Sequence, residues 1–226
     1  MHYDLVIFDL DGTLIDSRLD LAHSVNATRT HMGLELLPHE RIYSYVGNGA
    51  PVLIQRALGP GVSEAEVERA LQYFLAWYRE HKLDFTTLYP DVRETLRSLA
   101  ASHVRMAILT NKPINITREI LSALEIDSCF FQVYGGNSFE QKKPDPAGIY
   151  KLLEEANLTA DRAVMVGDSD VDIRTARNAG VAAVGCTWGF KPESLETEPP
   201  DWLIDRMADL PRVLQSAAVA RTDVTI

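Results

Sequence analysis

Short apolar runs at Leu5-Val6-Ile7-Phe8, Val104 to Leu109, Phe131 to Tyr134, Ala163 to Val166, Ala182 to Val184 and, more weakly, Trp202 to Ile204 alternate with segments of helical periodicity. Runs this short and this continuously apolar read as strands buried on both faces. Their alternation with helices predicts an α/β fold, a Rossmann-like parallel sheet covered by helices on both sides. The helices are expected from Asp91 to about Ala101, Ile114 to about Leu124, Pro146 to Ala156, and Asp170 to Ala179, the last stopped by Gly180. Asp91 followed by Glu94 reads as a capping-box start.

Residues 16–82 break that rhythm, because they carry helical periodicity only: Leu19 to Met32, Pro38 to Val46, Pro51 to Leu58, and Glu64 to Lys82. Ser63 with Glu66 is a second capping-box signature, and Gly33 and Gly59 are plausible stops. Leu71, Phe74, Leu75 and Tyr78 lie at helical spacing and read as the core of a bundle. The organisation expected is an α/β core domain from residues 1–15 and 83–226, with an inserted helical domain over 16–82. Residues 216–226 read as a frayed tail.

A chain of 226 residues with 46% apolar and 24% charged residues is ordinary for a soluble globular protein. Its net charge of −10 argues against a nucleic-acid or anionic-membrane surface, and any site for an anionic substrate must supply its own cations. No run approaches the roughly 20 apolar residues of a membrane span. The chain enters a strand at once, with no basic leader, and Cys129 and Cys186 form no disulfide or metal signature. A cytoplasmic protein, monomeric or homodimeric, is expected.

The chemistry sits after the apolar runs. Leu5 to Phe8 delivers Asp9-Leu10-Asp11-Gly12-Thr13 to the C-terminal end of the first strand, where open α/β sheets place their ligands. One carboxylate there can act as nucleophile while its neighbour handles protons. Thr110-Asn111, Lys143-Pro144-Asp145-Pro146 and Gly167-Asp168-Ser169-Asp170-Val171-Asp172 follow later strands. Singly, each also fits a turn, a cap or a solvated charge. Jointly they place an acid pair, a hydroxyl, a lysine and an acid cluster on one rim.

These four motifs, in this order, resemble those of the haloacid dehalogenase superfamily, and residues 16–82 look like its C1-type helical cap. The resemblance implies a Mg²⁺-dependent phosphatase acting on a small phosphorylated metabolite. Asp9 would attack phosphorus and form an aspartyl-phosphate, and Asp11 would act as acid and then base. Asp9, the main-chain carbonyl of Asp11, and Asp168 would hold Mg²⁺. Thr110 and Lys143 would bind the phosphoryl oxygens. Asp172 would orient Lys143 or a metal-bound water. Asn111 and Gly12 are candidate contacts to phosphate or substrate. Dehalogenase and phosphonatase branches lack an acid at the position of Asp11, so its presence points to phosphate esters.

The core motifs do not choose the alcohol half of the ester. Tyr45-Val46-Gly47-Asn48-Gly49-Ala50-Pro51 and the helix after it look like the cap signature of bacterial phosphoglycolate phosphatases. Gly47, Asn48, Gly49 and Arg56 are accordingly the expected specificity residues, with a helix N-terminus that favours a carboxylate. Pro51 stands where these phosphatases commonly carry an acid, and Asn137 where they often have Asp. The expected substrate is 2-phosphoglycolate. The alternatives are a sugar phosphate such as N-acetylmuramate 6-phosphate, a phosphomutase resembling β-phosphoglucomutase, or a noncatalytic binding protein on the same fold.

Overall fold

The computed structural model describes residues 3–220. In chain order the elements are β1 (Leu5–Phe8), β2 (Ile15–Asp16), α1 (Arg18–His31), α2 (His39–Tyr43), α3 (Ala50–Leu58), α4 (Glu64–His81) and β3 (Thr87–Leu88). There follow α5 (Val92–Ala101), β4 (Arg105–Leu109), α6 (Ile114–Ala123), β5 (Gln132–Tyr134), α7 (Ala147–Ala156) and β6 (Ala163–Gly167). The chain closes with α8 (Asp170–Ala179), β7 (Ala182–Cys186), α9 (Ser194–Thr197), β8 (Trp202–Ile204) and α10 (Leu210–Ala220).

The main sheet has the order β5-β4-β1-β6-β7-β8, and every pairing in it is parallel. β1 lies between β4 and β6, so its four side chains have no access to water. Burial of an aliphatic or aromatic side chain of that size contributes about 1.5–3 kcal/mol. The strand's alternation splits the core into two layers. Val6 and Phe8 pack in one with Leu96 of α5, Ile120 of α6 and Leu214 of α10. Leu5 and Ile7 pack in the other with Leu152 of α7 and Ile173 of α8. The expected α/β sheet with helices on both faces is the fold observed.

Helices α1, α3 and α4 pack on one another between β2 and β3 in the chain. The capping box of α4 forms as the sequence predicts: Ser63 N donates to Glu66 Oε2 at 2.8 Å, and Glu66 N donates to Ser63 Oγ at 3.3 Å. Gly180 ends α8 in the left-handed region with φ 71°.

Four local expectations are corrected. Asp91 precedes α5 with φ 64° and makes no side-chain cap bond. A capping box needs an extended residue there, and the left-handed backbone removes it. Residues 44–46 do not extend α2 as α-helix. Tyr45 N and Val46 N instead donate to Ile42 O and Tyr43 O, the tighter three-residue spacing. Ile15–Asp16 pairs antiparallel with Thr87–Leu88, so residue 16 is strand rather than helix. Helix α10 continues to Ala220, through half of the expected tail; residues 221–226 lie outside the described residues. Among the described residues no helix is long and apolar enough to cross a membrane.

Candidate active site

Parallel register brings the ends of β1, β4 and β6 level, since Phe8 is opposite both Ile108 and Val166. Asp9, Thr110 and Asp168 leave the sheet just beyond those pairs, on one rim. Lys143 joins them from the loop before α7. Its Nζ lies 2.8 Å from Asp9 Oδ1 and 2.6 Å from Asp172 Oδ1. The contact with Asp172 has hydrogen-bond geometry, whereas the one with Asp9 is an ion pair without that alignment. All three side chains are buried. The Lys143 ammonium is penalised by burial, yet Asp172 and Asp9 outweigh that and hold its pKa above the usual lysine range.

Burial pushes the Asp9 carboxyl up to about 6, with the charges of Asp172 and Asp11 adding to it against the opposing pull of Lys143. Burial also drives Asp168 well above the ordinary carboxylate range, helped by Asp172 and Asp9. The site is therefore short of positive charge. Its carboxylates are Asp9, Asp11, Asp168 and Asp172, against the ammoniums of Lys112 and Lys143.

One divalent cation would balance that deficit, and the donors suit it. Oxygens of Asp9, Asp168 and Asp172 lie within 4.8 Å of one another. Hard carboxylate oxygens in such a cluster suit a hard divalent cation. Asp172 is already committed, because its Oδ1 accepts from Lys143 and its Oδ2 from Ser169 N and Oγ. Asp9 and Asp168 keep free lone pairs. Asp168 Oδ2 accepts from Phe190 N at 2.6 Å. A side chain at Gly12 or at Gly189 would run into this carboxylate.

Several predicted residues sit where expected but with their polar groups already used. Asn111 donates to Gly47 O at 3.0 Å and Lys143 O at 3.1 Å, and its Oδ1 accepts from Lys143 N. It ties the 47–49 turn to the lysine loop and has no donor left for phosphate. Gly12 N donates to Ile15 O, so its amide closes a turn instead of facing a ligand. Arg56 is exposed and bonded to Tyr45 O and Asn48 Oδ1, which braces the turn from outside. Neither Arg56 nor Asn48 lines the pocket, whereas Gly47 and Gly49 do. Pro51 falls in the first turn of α3, where proline costs nothing. Asn137 Oδ1 accepts from Ile114 N at 2.9 Å, capping α6 rather than reaching the acids.

The sequence reading missed Lys112. Its buried Nζ bonds Asp11 Oδ1 at 2.8 Å, Asp11 Oδ2 at 3.1 Å and Tyr78 Oη at 2.6 Å. Burial disfavours that charge, but Asp11 and Tyr78 hold its pKa above the usual lysine value. Burial likewise pushes the Tyr78 phenol up to about 12. The available signal was adjacency: Lys112 directly follows Thr110-Asn111 at the strand end. Ser17 Oγ also donates to Asp11 Oδ1, at 2.5 Å. Leu21, Val46, Leu53, Phe74 and Ile116 form the apolar wall of the same pocket, whose volume is ≈ 60 Å³.

An acid pair, a hydroxyl, buried lysines and a candidate cation site on the C-terminal rim of a parallel sheet define a hydrolase site of the phosphoryl-transfer kind. The family model for haloacid dehalogenase-like hydrolases matches residues 6–186, and the chain belongs to that family. It is 40% identical to a phosphoglycolate phosphatase of Pseudomonas putida, over 98% of this chain and 82% of the relative. It is 39% identical to one of Haemophilus influenzae, over 94% and 99%. The crystal structure of a predicted phosphoglycolate phosphatase from Haemophilus somnus superposes with a TM-score of 0.90 at 36% identity, covering 94% of this chain and 98% of that one.

Proposed function

We propose that this protein is a Mg²⁺-dependent phosphatase of the cytoplasm that hydrolyses 2-phosphoglycolate to glycolate and phosphate through a phosphoaspartate on Asp9. The observation that carries the reading is the pairing of Asp9 with Lys143 and of Asp11 with Lys112, with both acids and Lys112 lining one pocket. Nucleophile and proton carrier each have their own cation. The 40% identity to relatives named phosphoglycolate phosphatase supports the choice of substrate. Helices α1–α4 act as a cap that brings Gly47, Gly49 and the apolar wall over the core, shutting out water.

Asp9 and Asp168, with the Asp11 carbonyl, would hold the metal. Bound there, Mg²⁺ supplies neutralisation of the acids and of the phosphoryl oxygens. At about 4 Å and an effective dielectric near 20, each like-charge pair costs roughly 4 kcal/mol, so that neutralisation is what lets a carboxylate approach a phosphate dianion. An oxygen of Asp9 forms the bond to phosphorus while the ester P–O bond breaks, and Asp11 hands its proton to the departing alkoxide. Asp11 is anchored by Ser17 on Oδ1 and by Lys112 on both oxygens, which fixes its carboxyl group at the rim. A water then attacks the phosphoaspartate, returning a proton to Asp11 and freeing Asp9. Thr110 and Lys143 steady the phosphoryl oxygens, and Asp172 orients Lys143.

A panel of phosphate esters tests the reading. Phosphoglycolate should exceed ethyl phosphate, glycerol phosphate and N-acetylmuramate 6-phosphate at least tenfold in kcat/KM, about 1.4 kcal/mol of transition-state discrimination. Equal rates across the panel would reject it.

A further inference from the structure

A carboxylate-bearing substrate needs a second cation, and the buried lysines of the site are already matched. Lys143 serves Asp9 and Asp172, and Lys112 serves Asp11 and Tyr78. Arg56, expected to read the carboxylate, is exposed, bonds Tyr45 O and Asn48 Oδ1 through one guanidinium nitrogen, and does not line the pocket. Among the described residues that line the pocket, Lys191 is the cation whose ammonium makes no hydrogen bond or ion pair.

Its placement is built into the backbone. On one side Phe190 N is fixed to Asp168 Oδ2 at 2.6 Å, and Gly189 packs on that carboxylate. On the other, Lys191 O accepts from Ser194 N at 2.9 Å and Ser194 Oγ at 2.7 Å. Between these anchors the side chain reaches the 47–49 turn, where a Cβ on Gly47 would stand 4.0 Å from Nζ. Gly47 has φ 113°, so the turn exposes backbone there and not a side chain. Burial, with the Arg56 charge beside it, lowers the Lys191 pKa despite the pull of Asp170, Asp168 and Glu193. An ammonium kept partly dry without a partner is poised for an anion from outside.

We propose that Lys191 is the specificity-determining residue that binds the substrate's carboxylate, opposite the phosphate held by Thr110 and Lys143. The proposal rests on the phosphoglycolate reading and moves its selectivity from the cap helix to a core loop. Two consequences follow for the geometry. The carboxylate lies against the Gly47 turn, so closure of α1–α4 and carboxylate binding favour each other. The loop that carries Lys191 is also held by Asp168, which links the metal carboxylate to the specificity group.

The test compares kcat/KM for phosphoglycolate and ethyl phosphate in wild type, Lys191→Met and Lys191→Arg. Lys191→Met should lower the ratio of the two values at least tenfold, mainly through KM for phosphoglycolate, and Lys191→Arg should restore most of it. A wild-type preference that persists unchanged in Lys191→Met overturns the assignment of Lys191 alone. A fall of both substrates in parallel, leaving the ratio unaltered, does the same. Absence of any preference in wild type overturns the phosphoglycolate reading and the assignment with it.

Discussion

Lys112 Nζ lies 2.8 Å from Asp11 Oδ1, with Tyr78 Oη of helix α4 on the same nitrogen at 2.6 Å. A strand-end lysine of the sheet layer thus connects Asp11 to the helices above it. Lys112→Met should lower kcat about 10²-fold or more, within the range lost when a positioned acid–base group is disturbed. Steady-state kinetics on phosphoglycolate would read this, and a kcat within threefold of wild type would count against a role for Lys112. Tyr78→Phe removes one bond to a buried ammonium and should cost about 1.5–3 kcal/mol in urea unfolding.

Lys143 stands between Asp9 and Asp172 with all three buried. Lys143→Ala leaves those carboxylates uncompensated, a change that costs about 3–5 kcal/mol when a buried pair is broken. Turnover should fall at least 10³-fold, because phosphate and nucleophile lose the same cation. Circular dichroism should still report the folded spectrum. Retention of a tenth of wild-type activity would contradict the assignment.

Metal removal should be felt more above pH 6 than below it. The Asp9 pKa is raised from 3.8 to about 6, so the metal-free folded protein keeps a proton that the unfolded chain has lost across that window. Stability from this group is present at the acid end and is lost as the pH rises towards 6. Mg²⁺ binds the ionised carboxylates and offsets the loss. The gain in Tm on adding Mg²⁺ should therefore be larger near pH 8 than near pH 5, as read by scanning calorimetry. Equal gains would rule out Asp9 as a ligand.

Asp20 of α1 is buried and fixes the return of the chain from α4. Its carboxylate accepts from Phe85 N at 3.0 Å, Thr86 N at 2.8 Å and Thr86 Oγ1 at 2.6 Å. Asp20→Ala strands those donors; two of them, both on Thr86, are buried, and at roughly 1–3 kcal/mol for each unsatisfied group the cost should be about 2–6 kcal/mol. A change under 0.5 kcal/mol in the urea midpoint analysis would show that the joint is held by something else.

The sheet was legible because β1 and β6 are buried on both faces and so read as unbroken apolar runs. Asp9 and Asp168 were legible because each stands at the end of such a run, and Lys143 because it lies in the loop between β5 and α7. What was not legible depends on distant partners. Tyr78 sits at helical spacing among core residues and is indeed buried. Nothing local says that its hydroxyl meets a lysine 34 positions on. Nothing in the sequence around Lys191 says that Phe190 N lies on Asp168. Arg56 was expected from the cap resemblance and Asn111 from its place beside Thr110, and sequence could not say that Arg56 bonds Tyr45 O or that Asn111 bonds Gly47 O. The two-residue strands β2 and β3 are too short to carry any periodicity.

The most direct measurement is rapid mixing of Asp11→Asn with an aryl phosphate, whose leaving group needs no proton. If Asp9 is the nucleophile and Asp11 activates the second water, nitrophenolate should appear in a burst of about one equivalent per enzyme before slow turnover. Phosphate should be recovered on the Asp9 peptide after acid quench. Linear release from the first turnover, with no phosphate on the protein, would contradict the phosphoaspartate account.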